Sequence, residues 1–316
     1  MKKSFVFKCV QVVIFCAPSS VYFPIAQAQS LCAFDSAQIK PSLTAAKIAC
    51  DEHVLWGRPF INAAGHLIQI GPMEGETDKL ANGESAWQRV LHYWTASVGA
   101  EYLYHPDDVS PDSSQATKNA FIRTRLIDNP WSGVFVSYVM KTAGFSADEF
   151  TFNDGHIRYI KPAFTAALSL AAHEPNAYAY VAKNPLTTPM AVGDLICYTR
   201  EGRDVYGPMA FFEWLQTHQY DGVSLKTHCD IVVTVKKSKA YTIGGNVVQS
   251  VVMRELTLNK QGALAARHTL PITPVSGSWV AKALTAEPAN LVQCEPVNGR
   301  DCDMNRKDWV VLLKAK

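Results

Sequence analysis

Residues 129–144 carry the signals of a helix with defined ends and one buried side, and this stretch constrains the fold more than any other. Asn129 is a good N-cap, and Pro130 suits a first helical position, where its missing N–H costs nothing. Gly144 stands where a left-handed C-terminal cap is expected. Between them Ser132, Phe135, Val136, Val139, Met140 and Ala143 recur at helical spacing and form one stripe. Ser132 therefore belongs to the buried side, in the first turn. A hydroxyl there either satisfies free amides at the helix start or is a placed reactive group.

The chain has 316 residues and a basic, then apolar, opening. Lys2 and Lys3 precede a broadly apolar run, and Ala26-Gln27-Ala28 matches a small-x-small cleavage site. Residues 1–28 read as a signal peptide, and the mature protein is expected to be exported, periplasmic or secreted. No later run reaches the length of a membrane span. Net charge is +2 with no long basic block, which argues against a nucleic-acid partner. Of eight cysteines, Cys9 and Cys16 would leave with the signal. Disulfides are permitted in an oxidising compartment. Cys32 with Cys50 and Cys294 with Cys302 are near in sequence, while Cys197 and Cys229 lie in strand-like runs that could be neighbours. The sequence does not choose among pairings.

Along the chain, residues 41–53 suggest a helix on Leu43, Ile48 and Val54, opened by Ser42. Residues 60–70 read as a hairpin around Ala64-Gly65. Residues 84–97 read as a helix on Trp87, Val90, Leu91 and Trp94, with His92 and Tyr93 off the stripe and expected at the surface. The polar, proline-broken stretch 104–115 marks a boundary, giving a helical extension over 29–115 and a main domain over 116–316. Residues 161–172 look helical, and 174–190 look like an exposed connection. Then strands dominate: one after Gly193, a strongly apolar and central one over 228–235, two more joined around Gly244-Gly245, and a last one over 309–313. Helices first and antiparallel-looking strands afterwards indicate an α+β fold.

Strand alternation puts His228, Asp230 and Val232 on one face and Cys229 on the other. On that reading the His228 ring meets the helix carrying Ser132, and Asn246 follows at the end of the next strand. A nucleophile at a helix start, an imidazole on a facing strand and an amide to orient the ring are the parts of a papain-type triad. Trp131, His156, Asp194 and Asp230 are further groove candidates. Three of these also have a plainer account: His156 in a helix first turn, Asp194 capping a turn, Asp230 paired with a lysine. Glu52-His53 and His173-Glu174 lack the His-Glu-x-x-His spacing, so neither a metal nor another cofactor is expected.

Trp131-Ser132-Gly133-Val134-Phe135-Val136-Ser137 resembles the nucleophile helix of the NlpC and CHAP groups of papain-like peptidoglycan amidases, which read Trp-Cys-Ala-x-Phe-Val-Ser. Gly193-Asp194-Leu195-Ile196, His228-Cys229-Asp230-Ile231-Val232 and Gly244-Gly245-Asn246 resemble the later segments of those families, in the same order. The resemblance implies a papain-like core with Ser132 as nucleophile, His228 as base and Asn246 as orienting residue. It also implies a cell-wall peptide or similar amide as substrate. Ser132 departs from the family cysteine. A hydroxyl cannot become a resting anion at a helix end as a thiol does, so it would need a base during attack. The alternative expectation is a non-catalytic domain that uses the same groove to bind wall peptide or a protein partner.

Overall fold

The computed structural model describes residues 31–32, 40–200, 205–269 and 303–316. The signal-peptide reading and the pairing of Cys294 with Cys302 fall outside them. Helices α1 (Pro41–Leu55), α2 (Ala86–Ala96), α3 (Gln115–Asp128), α4 (Ser132–Thr142), α5 (Ile157–Ala171) and α6 (Gly207–His218) accompany one sheet. Its strands are β1 (Phe60–Ile61), β2 (Leu67–Gln69), β3 (Tyr180–Lys183), β4 (Leu195–Thr199), β5 (Thr227–Lys236), β6 (Lys239–Val247), β7 (Ser250–Thr257) and β8 (Asp308–Ala315). The sheet order is β2-β1-β7-β6-β5-β4-β8-β3. Every pairing is antiparallel except β1 with β7. The fold class is α+β, as expected.

Helix α4 is buried from Ser132 through Met140 and packs on β5 and β6, with α1 and α2 against it. Its start is two residues later than the caps imply. Asn129 instead closes α3, its Nδ2 donating to the Arg125 carbonyl at 2.7 Å, and Trp131 takes the N-cap position of α4. The C-terminal end is as expected. Gly144 has φ +93, and the Phe145 amide reaches back to the Met140 carbonyl at 3.2 Å.

The segment before residue 115 adds more than helices, because β1 and β2 extend the same sheet beyond β7. Helix α1 buries Ala45, Ala46 and Ala49, not the Leu43–Ile48–Val54 side. Small side chains let its backbone approach α4 and β5 closely. Tyr93, expected at the surface, is fully buried: its hydroxyl donates to Glu52 at 2.5 Å and accepts from Trp56 Nε1 at 2.8 Å. The rings of Trp131, Phe135 and Tyr138 enclose it and turn an off-stripe position inward. The stretch 174–190 contains β3, paired with β8, where an exposed connection was expected.

The turn between β6 and β7 falls at Val248 and Gln249, both at positive φ (51° and 56°), not at Gly244-Gly245. Those glycines lie inside β6 for a packing reason. A Cβ on Gly245 would stand 2.4 Å from the Phe135 Cβ of α4. Two disulfides tie described segments, Cys32 to Cys50 and, across neighbouring strands, Cys197 to Cys229.

Candidate functional site

The site is built at the start of α4 by the loop that leads into α5. Ser137, one turn along α4, clasps that loop: its Oγ donates to the Asn153 carbonyl at 2.8 Å and accepts from the Asn153 amide at 2.9 Å. The Asn153 side chain then accepts from the Gly155 amide at 3.0 Å and tightens the turn. Gly133 lets the loop come close, since a Cβ there would lie 2.1 Å from the Asp154 carbonyl oxygen. These contacts deliver His156, whose Nε2 is 2.7 Å from Ser132 Oγ. Both side chains are buried.

The other ring nitrogen, Nδ1, has two neighbours. The Cys229 backbone amide donates to it at 3.2 Å, and the Tyr159 hydroxyl is in close hydrogen-bonding contact with it. The register between β5 and β6 begins only at Ile231 with Ile243, so Cys229 lies beyond it, and the imidazole takes an amide that no neighbouring strand takes. Because a backbone N–H can only donate, Nδ1 is an acceptor there and the neutral ring carries its proton on Nε2. Burial, and after it the charges of His228 and Arg200, hold the His156 pKa well below the ordinary histidine value, so the ring is neutral.

His228 is placed differently from the sequence expectation. Cys229, Ile231 and Val233 pack in the main core with α4, while Val232 joins a second cluster with Tyr198 and Trp309 on the opposite face. His228 and Asp230 share that opposite face. The alternation holds, and Cys229 packs in the core and pairs with Cys197, but the face expected to meet the helix was the wrong one: residues 229, 231 and 233 take the helix-covered side. The His228 ring nevertheless lies 5.0 Å, centroid to centroid, from that of His156. Its Nδ1 accepts from Arg200 Nη2 at 2.6 Å, and its Nε2 donates to Asp230 Oδ1 at 2.9 Å. Burial lowers the His228 pKa to about 4 despite Asp230.

Asp230 also accepts from Thr242 at 3.2 Å and from Arg254 Nε at 3.1 Å. Burial pushes its carboxyl upward, but these donors and His228 outweigh it and hold it below the usual range. Gly244 leaves room for the pair: a Cβ there would be 2.0 Å from Asp230 Oδ1. Thus His228 is hydrogen-bonded to Asp230 and Arg200, and Asn246 makes no side-chain hydrogen bond among the described residues. Asn246 sits at φ +52 in the irregular end of β6.

Of the remaining candidates, Trp131 is wholly buried between Trp56, Tyr93 and Phe135. Its Nε1 donates to Glu74 at 2.5 Å. Asp194 locks the sheet edge, accepting from the Ala191 amide at 2.7 Å, Lys314 Nζ at 2.9 Å and the Ala315 amide at 3.1 Å. Tyr159 and Arg200 were not singled out from sequence. Tyr159 was legible only as His156 plus three, one helical turn away. Among the described residues no His, Cys, Asp and Glu side chains cluster as a metal site, and no helix is long and apolar enough to cross a membrane.

No curated protein and no solved structure matches this chain. One family does, across residues 81–315, a span that begins before α2 and ends at the last residue of β8, taking in Ser132, His156, His228 and Asp230. The chain belongs to that bacterial family, described as "uncharacterized protein conserved in bacteria (DUF2272)".

Proposed function

We propose that this protein is an exported hydrolase on a papain-like scaffold, related to the NlpC and CHAP amidases, that cleaves an amide bond in cell-wall peptides with Ser132 as nucleophile. His156, not His228, is its immediate proton partner. The observation that carries this reading is the 2.7 Å contact between Ser132 Oγ and His156 Nε2 at the first position of α4. The first amides of a helix have no intrahelical acceptor and can face a developing oxyanion. The two disulfides fit an oxidising compartment.

The chemistry runs through one change of tautomer. For attack, Nε2 needs its lone pair, so the ring proton moves to Nδ1 and is donated to the Tyr159 oxygen, while the long Cys229 amide bond is given up. Tyr159 then fills the orienting role expected of Asn246. Ser132 Oγ bonds to the carbonyl carbon as its proton passes to Nε2. The same proton goes on to the leaving amine when the C–N bond breaks, and water hydrolyses the resulting ester by the same route.

A second reading is favoured by the resting tautomer itself. With Nδ1 accepting from Cys229, the Nε2 proton points at Ser132, which suits a locked polar cluster in a non-catalytic, peptide-binding domain. Exposure of mature protein to a fluorophosphonate probe and to peptidoglycan fragments, read by mass spectrometry, separates the two. Labelling at Ser132 and cleavage that vanish in Ser132→Ala and His156→Ala support the hydrolase. Wild-type protein that neither labels nor cleaves sinks it.

A further inference from the structure

On the sheet face turned away from α4, two cations stand beside one aromatic ring. Tyr198 and His228 are cross-strand partners in β4 and β5, with ring centroids 5.0 Å apart. Lys307, just before β8, holds Nζ 5.6 Å from the centre of the Tyr198 ring. Arg200, just after β4, is exposed and reaches His228 with Nη2. Among the described residues neither cation has a carboxylate partner, and Lys307 Nζ has no hydrogen bond.

Arg254, by contrast, is satisfied. It is 2 % exposed, and its Nε and Nη1 donate to Asp230 and to the Met304 carbonyl at 3.1 and 2.9 Å. Asp230 is shared by His228, Thr242 and Arg254 and, among the described residues, makes no hydrogen bond or ion pair with Arg200 or Lys307. Burial first, then Arg254 and Arg200, bring the Lys307 ammonium down to about 8, with Asp230 and Asp303 acting the other way.

We propose that Arg200 and Lys307, flanking Tyr198, form a subsite for a peptide carboxylate. A guanidinium fork and an ammonium suit a planar carboxylate, and Tyr198 supplies an apolar floor. The subsite is linked to the Ser132 centre by two buried rings: Arg200 donates to His228, whose ring lies 5.0 Å from that of His156 at a tilt of 46°. Taken with the hydrolase reading, on which this clause alone rests, the substrate is a peptide carrying a free carboxylate.

Binding is measured on the mature Ser132→Ala protein by calorimetry at pH 6.5, so that absence of hydrolysis leaves the result interpretable. The probes are acetyl-glycyl-glycine, its C-terminal amide and inorganic phosphate. The free carboxylate is expected to bind about tenfold more tightly than the amide, and to lose about tenfold in Arg200→Gln and in Lys307→Met. The thermal transition of both variants is measured alongside, so that any loss of fold, as from the Arg200–His228 bond, is read separately from loss of the carboxylate. Equal affinity for acid and amide, no binding of either, wild-type affinity in both variants, or tighter binding of phosphate would overturn the proposal.

Discussion

The Cys229 amide donates to Nδ1 of His156 at 3.2 Å, and this single bond decides which ring nitrogen faces Ser132 with a proton. A strand amide left over where β6 departs from β5 thereby controls the chemistry at the start of a helix on the covered face. The Tyr159 hydroxyl on the same nitrogen is the group that can accept a hydrogen bond from Nδ1–H when the tautomer changes.

Tyr159→Phe removes that acceptor and keeps the ring in its buried cage. If His156 works as a base, hydrolysis should fall by about 10²-fold, the usual range for a proton-transfer partner, with the fold intact. Nitrogen-15 shifts of His156 should report the Nε2–H form in the wild type at rest. Unchanged turnover in Tyr159→Phe would remove Tyr159 from the mechanism.

Gly133→Ala tests the loop that delivers His156. The added Cβ meets a backbone oxygen 2.1 Å away, so the loop must retreat rather than a side chain rotate. The Ser132–His156 contact should be lost, and overpacking of this kind costs about 1–3 kcal/mol. The readouts are probe labelling of Ser132 and the denaturation midpoint. Full labelling with wild-type stability would show that the loop adapts without cost.

Glu74 should make stability fall with rising pH. Burial raises its carboxyl to about 7, with the Trp131 N–H acting against burial, and its Oε1 has no hydrogen-bond partner among the described residues. A folded pKa above the model-peptide value of 4.5 means that the folded state holds a proton the unfolded chain has released. Stability is therefore unaffected below 4.5, drops as pH rises toward 7, and levels off above it, by at most about 3 kcal/mol. Glu74→Gln should flatten that part of the profile in urea titrations between pH 4 and 8. An identical pH dependence in wild type and variant would refute the assignment.

Replacing both Cys197 and Cys229 by Ala opens a loop with a sequence separation of 32. Chain entropy alone predicts a loss of about 3–4 kcal/mol. Because Cys229 also presents the amide that holds His156, the paired variant should broaden the His156 resonances as well. A midpoint within error of the wild type would mean that the cross-strand packing of β4 and β5 suffices without the bond.

Much of the architecture was legible because it depends on local pattern. The buried Ser132 face of α4, the Gly144 cap and the central position of β5 each follow from periodicity, a cap or an apolar run, whereas the choice of Cys229 for Cys197 came only with the strand register. The misses have physical causes. Tyr93 turned inward because the rings of Trp131, Phe135 and Tyr138 enclose it and Glu52 and Trp56 satisfy its hydroxyl. The expected turn at Gly244-Gly245 moved to Val248 and Gln249 because Phe135 and Asp230 occupy the space that side chains on those glycines would need.

The sequence by itself determined the class of fold, the placement of a serine in the first turn of a buried helix, and the alternation that sets His228 and Asp230 apart from Cys229. Only the tertiary structure decided which histidine Ser132 meets. Alternation defines two faces of a strand but does not say which one a helix will cover. That choice went to Cys229, Ile231 and Val233, the side that buries apolar groups against α4 at least cost. It left His228 to Asp230 and Arg200, and brought His156 to Ser132 through a loop whose path depends on Ser137 and Gly133.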